Sequence, residues 1–230
     1  MTPASNYTYL EPLVARLWKT WPENQTLTLV FHGHSVPAGY FATPRVQTFD
    51  AYPHLLHLAL GERFPNAVVN AVVTAVGGEN AEQGAVRFER EVLSHRPDLI
   101  TLDYSLNDRG LGLEKAAQAW RSMIEAALER EIPVLLLTPT PEVACFLDAG
   151  GVEDTLLRQH AQQVRELAAD YGVGLVDSLS AFDRHAPLHG GLENLLSWVN
   201  HPNRAGHELV ARELLRWFPI TAQPLSGEPT

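Results

Sequence analysis

The chain has 230 residues and carries 17 Lys and Arg against 27 Asp and Glu, a formal charge of −10, which argues against nucleic acid and anionic membrane as principal partners. Its length suits one α/β domain with a sizeable core, and a single cysteine, Cys145, excludes an intrachain disulfide and any multi-cysteine zinc site. No run approaches the roughly 18 apolar residues of a membrane span, and residues 1–19, with Glu11 and Arg16 among Leu and Val, lack the basic leader and apolar run of a secretory signal, so the expected location is cytoplasmic.

In chain order, Tyr7 to Lys19 predicts a short helix packed on the outside, within an N-terminal extension covering residues 1–26. From residue 27 to 218 strand-like and helix-like periods alternate, the pattern of repeated β-α units that close a parallel sheet in a single domain. Apolar, β-branched runs predict strands at Leu27 to Phe31, Ala67 to Val73, Leu99 to Leu102, Val134 to Leu137 and Val173 to Val176, each covered on both faces. Helices are predicted where Ala81, Ala85, Phe88 and Val92 share a face, over Leu113 to Arg130, over Glu153 to Tyr171, and from Arg204 to Phe218 with Asn203 as N-cap. The tail 219–230 lies outside that domain, and Thr221 to Thr230, with two prolines and little apolar content, is expected to fray.

Ligands of open parallel sheets bind at the carboxyl ends of the strands, which directs attention to the loops near His32, Thr74, Asp103, Thr138 and Asp177. The first loop, His32-Gly33-His34-Ser35, places a serine after a strand at a sharp turn, where it reads equally as a rigidly held nucleophile or as an N-cap. The third, Asp103-Tyr104-Ser105-Leu106-Asn107-Asp108, offers an amide donor in Asn107 and a loop-holding carboxylate in Asp108, in a sequence that is also an everyday turn. In the second, Gly77 and Gly78 either bring a bare backbone N–H close to a ligand or simply turn the chain. Near the C-terminus His201, restrained by Pro202 just before a helix, is placed to act as a fixed general base, whereas His207 falls on the packing stripe with Val210, Ala211, Leu214 and Phe218.

Serine, glycine, asparagine and histidine in this order, each at the end of the right element, resemble the SGNH/GDSL hydrolase superfamily over about Leu27 to Phe218. The resemblance implies a three-layer α/β/α sandwich, flavodoxin-like, with a five-stranded parallel sheet, and a serine esterase that needs no metal or other cofactor. It implies Ser35 as nucleophile, His201 as base, and an oxyanion hole made by the Ser35 and Gly78 N–H groups and the Asn107 amide, Gly78 being preferred to Gly77 because Gly84 follows six residues on. It further implies a small-molecule ester substrate, with short acyl groups such as O-acetyl esters of carbohydrates ahead of lysophospholipids or long thioesters. Asp108 would be structural.

Three positions depart from the family pattern. The acidic residue expected before the nucleophile is His34, and the glycine of Gly-x-Asn-Asp is Ser105. The triad aspartate expected three residues before His201 is Trp198, with Ser197 beside it. An acid orients the imidazole and stabilises its protonated form, so a Ser-His dyad with a backbone carbonyl as partner is the first expectation, with Glu193 as a nearby acid and Asp177 as a capping residue. Two other readings compete: a metal-dependent hydrolase in which His32 and His34 join Asp103 and His201 as ligands, and a non-catalytic sugar- or ester-binding domain. The segments 139–151 and 181–196 are expected to shape the pocket.

Overall fold

A computed structural model describes residues 2–143 and 152–220 of the chain; the tail 221–230 and part of the segment 139–151 expected to shape the pocket lie outside the described residues. Five strands, β1 (Thr26–Gly33), β2 (Val68–Val73), β3 (Leu99–Asp103), β4 (Val134–Leu137) and β5 (Gly174–Val176), form one sheet in the order β2-β1-β3-β4-β5. All four pairings are parallel, with Gly33 opposite Asp103 where β1 and β3 end. This is the flavodoxin-like order, whose reversal point lies between β1 and β3.

The helices are α1 (Glu11–Leu17), α2 (Ser35–Ala38), α3 (Tyr52–Arg63), α4 (Ala81–Glu91), α5 (Leu113–Leu128), α6 (Val152–Tyr171), α7 (Ser178–His185) and α8 (Arg204–Leu215). Alternation along each strand sorts the core into two layers. Leu29 and Phe31 of β1 and Leu135 and Leu137 of β4 pack under α1, α3 and α8, while Val30, Ile100, Leu102, Val134 and Leu136 pack under α4, α5 and much of α6. Both faces of the central strands are therefore apolar, which is why they read as near-continuous hydrophobic runs. No helix among the described residues is long and apolar enough to cross a membrane.

Several local expectations are corrected. The N-terminal helix is not an external appendage: Leu10, Leu13, Val14 and Leu17 are buried in the same layer as Trp217 and Phe218. Strand β2 is an edge strand with Val68 and Val73 exposed, so coverage on both faces holds only for the inner strands. The last helix stops at Leu215, although Trp217 and Phe218 beyond it remain buried. Helices α3 and α7 were not predicted; α7 is capped by Asp177, whose carboxylate accepts the Ser180 N–H, a signal visible in the sequence.

Candidate active site

The serine loop follows directly from the end of β1. His34 leaves the strand with φ −103° and ψ −148°, and its Nδ1 accepts the Val36 N–H at 3.3 Å, capping the single turn of α2 that begins with Ser35. Gly39, at φ +88°, stops that turn, and the chain doubles back through an antiparallel bridge between Tyr40 and Val46. Phe41 lies in this return and aims its carbonyl at His201.

His201 arrives from the far end of the chain on a pinned loop. Leu196 and Pro202 form an antiparallel bridge, the Ser197 N–H donates to the His201 carbonyl at 2.8 Å, and Asn203 caps α8 by accepting the Gly206 N–H at 3.1 Å. The imidazole then spans two partners. Its Nδ1–H donates to the Phe41 carbonyl at 3.0 Å, which leaves Nε2 bare, and Ser35 Oγ lies 3.0 Å from Nε2. A carbonyl can only accept, so the tautomer with a bare Nε2 follows from geometry. Ser35 is 7% and His201 5% exposed; burial pushes the His201 pKa below its usual value, and the Phe41 carbonyl partly offsets this.

Loops two and three both join the end of β1, where the Val76 N–H donates to the Gly33 carbonyl at 3.0 Å and the His34 N–H to the Asp103 carbonyl at 3.2 Å, and they meet each other. Asn107 Nδ2 donates to the Glu79 carbonyl at 2.8 Å, next to Gly78, and Gly78 sits at φ +84° with open space where a Cβ would be, a conformation that favours glycine. Gly84 has a packing reason instead: a Cβ there would lie 2.3 Å from the Tyr104 ring. Asp108 accepts the Ala81 N–H and the Trp120 indole N–H, both at 2.7 Å, so it ties loop three to α4 and α5. Its burial raises its pKa to about 6 against those two bonds.

The remaining expected residues do not join His201. Glu193 is exposed, in the short 3-10 turn Leu192–Asn194, and lines a separate cavity with Val143, Asp183 and Leu192; the nitrogen it would need to reach is held by Phe41. Ser197 Oγ donates to the His201 and Pro202 carbonyls at 3.1 and 3.3 Å, supporting the loop backbone and not the ring. Trp198 is 59% exposed, so it replaces the family's acid with a solvent-facing aromatic surface. Asp177 is bound to Arg165 and caps α7.

The His-x-His pair does not converge. His32 donates through Nε2 to the Gly84 carbonyl at 3.1 Å and accepts from Thr74 Oγ1 at 2.8 Å, against Phe88 and Tyr104. Burial first, then the Arg87 charge, lowers its pKa to about 4. His34 turns toward Asp103 instead, and no group of three or more His, Cys, Asp or Glu among the described residues is arranged to hold a metal ion. The separation has a simple cause: His32 is still in the pleated strand, whereas His34 has left it.

Sequence reasoning missed Phe41, which acts through its backbone and has no side-chain signature, and Tyr40, whose ring lies 6.0 Å from that of His201. It also missed the bidentate Arg109–Glu142 pair, 2.7 and 2.8 Å, which ties loop three to the loop after β4.

The family model for GDSL-like lipases and acylhydrolases matches residues 31–209. An acetylxylan esterase of Geobacillus stearothermophilus is 23% identical over 169 residues, 66% of this chain and 74% of the relative. Among solved structures, an acetylxylan esterase from Geobacillus stearothermophilus superposes with a TM-score of 0.72 at 20% identity, covering 85% of this chain and 95% of that one. A Parabacteroides merdae protein of GDSL-like lipase type gives 0.70 at 17% identity over 84% and 95%.

Proposed function

Because this chain belongs to the GDSL-like lipase/acylhydrolase family and is an ester-hydrolysing serine hydrolase, we propose that Ser35 is its nucleophile, His201 its base, and a short acyl ester of a carbohydrate, foremost an acetyl ester, its substrate. The observation that carries the reading is the 3.0 Å contact of Ser35 Oγ with a His201 ring whose other nitrogen is occupied by the Phe41 carbonyl. The acetyl and carbohydrate parts rest on the acetylxylan esterase relatives.

Ser35 attacks the ester carbonyl as its proton passes to His201 Nε2. The oxyanion of the tetrahedral intermediate is met by the Ser35 and Gly78 N–H groups and the second Nδ2 hydrogen of Asn107, the first being spent on Glu79. As the ester C–O bond breaks, the imidazolium gives its proton to the departing sugar oxygen, which leaves as the alcohol, and the acyl group stays on Ser35. Water, losing a proton to His201, then attacks the acyl carbon; the bond to Ser35 Oγ breaks as His201 passes that proton to it, which frees the carboxylic acid and restores the serine. A carbonyl dipole fixes the His201 tautomer as a carboxylate would, but stabilises the imidazolium less. The exposed Trp198 ring offers a face for the apolar side of a sugar.

The test is acetate release from acetylated xylooligosaccharides, alongside nitrophenyl esters of graded acyl length. Acetyl esters should be turned over fastest, and Ser35→Ala should abolish release. Preference for long acyl chains would overturn the substrate assignment, and an active Ser35→Ala enzyme would overturn the mechanism.

A further inference from the structure

We propose that His34 and Asp103 form a positioning pair for Ser35, with Asp103 fixing the tautomer of His34 so that the ring can hold the serine turn; this rests on the reading of Ser35 as nucleophile. His34 Nδ1 accepts the Val36 N–H at 3.3 Å and lies 3.3 Å from Ser35 Oγ. On the other side of the same ring, Nε2 lies 3.3 Å from Asp103 Oδ1. Neither of these two atoms is aligned for a hydrogen bond with any group among the described residues, and both are buried. The other carboxylate oxygen, Oδ2, accepts the hydroxyl of Tyr52 at 3.2 Å.

Burial restricts what these groups can be. His34 is 1%, Asp103 2% and Tyr52 0% exposed, so each polar atom depends on its neighbours. An imidazole caps a backbone N–H only through a bare nitrogen. The Val36 N–H therefore excludes a proton on Nδ1, which removes both the imidazolium and one neutral tautomer. The Asp103 carboxylate, an acceptor 3.3 Å from Nε2, favours the proton there. The cap thus requires one protonation state out of three, and the Asp103 carboxylate stabilises that same state, in which the ring presents a lone pair to the first turn of α2. Position 34 is where the family pattern has an acidic residue. An acidic side chain would cap the turn unaided; an imidazole needs a second group to choose its tautomer, and β3 supplies it opposite the end of β1.

The charged and titratable surroundings do not offer a substitute. Asp108 in loop three and His201 in the loop before α8 lie within electrostatic reach of His34, and Tyr104 joins Tyr52 around Asp103. Of these groups only Asp103 stands within ion-pair distance of the His34 ring.

The decisive experiment is a double-mutant cycle between positions 34 and 103, read as kcat and KM on an acetyl ester. Asp103→Asn offers Nε2 a donor as readily as an acceptor and should lower kcat roughly 10- to 100-fold, the size typical of partners that fix a histidine tautomer, with KM little changed. His34→Asn keeps a capping oxygen and has no tautomer to choose. In that background the same Asp103→Asn change should cost less than about twofold, because coupled residues are not additive. An equal loss in both backgrounds, or no loss in either, overturns the pair. Long-range proton–nitrogen spectra of the unaltered protein supply a readout independent of folding in the variants: His34 should show a bare Nδ1 and a protonated Nε2, and a protonated Nδ1 overturns the proposal. Ser35→Ala is run alongside. If it is inactive while the cycle shows no coupling, only the positioning pair falls; if it stays active, the reading of Ser35 falls too.

Discussion

Two histidines reach the Ser35 hydroxyl, His201 at 3.0 Å and His34 at 3.3 Å, and they are held by opposite means. His201 stands on a loop delivered from the far end of the chain and leans on a neutral carbonyl, Phe41. His34 belongs to the serine's own loop and lies against a carboxylate, Asp103. The base of the proposed mechanism thus lacks the acid that a triad gives it, while a carboxylate stands behind the ring on the other side. A group that must take up and release a proton in each half-reaction needs its tautomer fixed but not its charge; a group that only holds the turn must keep one protonation state throughout.

The largest expected effect breaks the symmetry between the two rings. His201→Ala should lower kcat on the order of 10⁴–10⁶-fold, as removal of a catalytic member does, whereas His34→Ala should cost roughly 10- to 100-fold, as loss of outer support does. Equal losses in steady-state assays would erase the distinction. Next in size, Asn107→Ala should lower kcat roughly 10²–10³-fold with KM little changed, the cost of one oxyanion donor; a rise in KM alone would assign Asn107 to ground-state binding.

Smaller effects come from pH. Burial disfavours the His201 imidazolium and takes its pKa below the ordinary 6.5, so the neutral base persists below that pH. The acid limb of kcat/KM, followed between about pH 4 and pH 8, should have its midpoint under 6.5, and a midpoint above 7 would mean a charged partner other than the described residues around the ring.

Stability should respond in a related window. His32, His160 and His207 are lowered by burial to about 4, 4 and 3 from an ordinary 6.5. The unfolded chain therefore binds more protons as pH falls below 6.5, and stability is lost toward pH 4. Asp108, raised to about 6, works in the opposite direction over part of this range, but three groups outweigh one. The urea midpoint should drop between pH 7 and pH 5; an unchanged midpoint would show that these rings are not held neutral.

What the sequence disclosed followed the kind of signal each element carries. Strands covered on both faces, such as Val134–Leu137, announce themselves as apolar runs, and three of the five strands, β1, β3 and β4, are inner ones. Helix α3 does not, because Tyr52, Pro53, Leu55, Leu56 and Leu60 are buried while Leu58 between them is exposed, which blurs the helical period. At the site, Ser35 and His201 were legible as side chains at loop starts, and the structure brings them together. Phe41 was not legible, since any residue has a carbonyl and this one is 160 positions from its partner. His34 and Asp103 were brought together in the sequence reading only as ligands of a metal; their direct approach depends on the register that sets Gly33 beside Asp103.

The most direct test of a serine driven by an acid-free histidine is fluorophosphonate labelling followed by peptide mass spectrometry, on the unaltered protein, His201→Ala and Glu193→Gln. The account predicts label on Ser35, its loss in His201→Ala, and labelling in Glu193→Gln at a rate within about threefold of the unaltered protein, as expected of a surface substitution away from the site. Label on another residue, or a Glu193→Gln protein that no longer reacts, would contradict it.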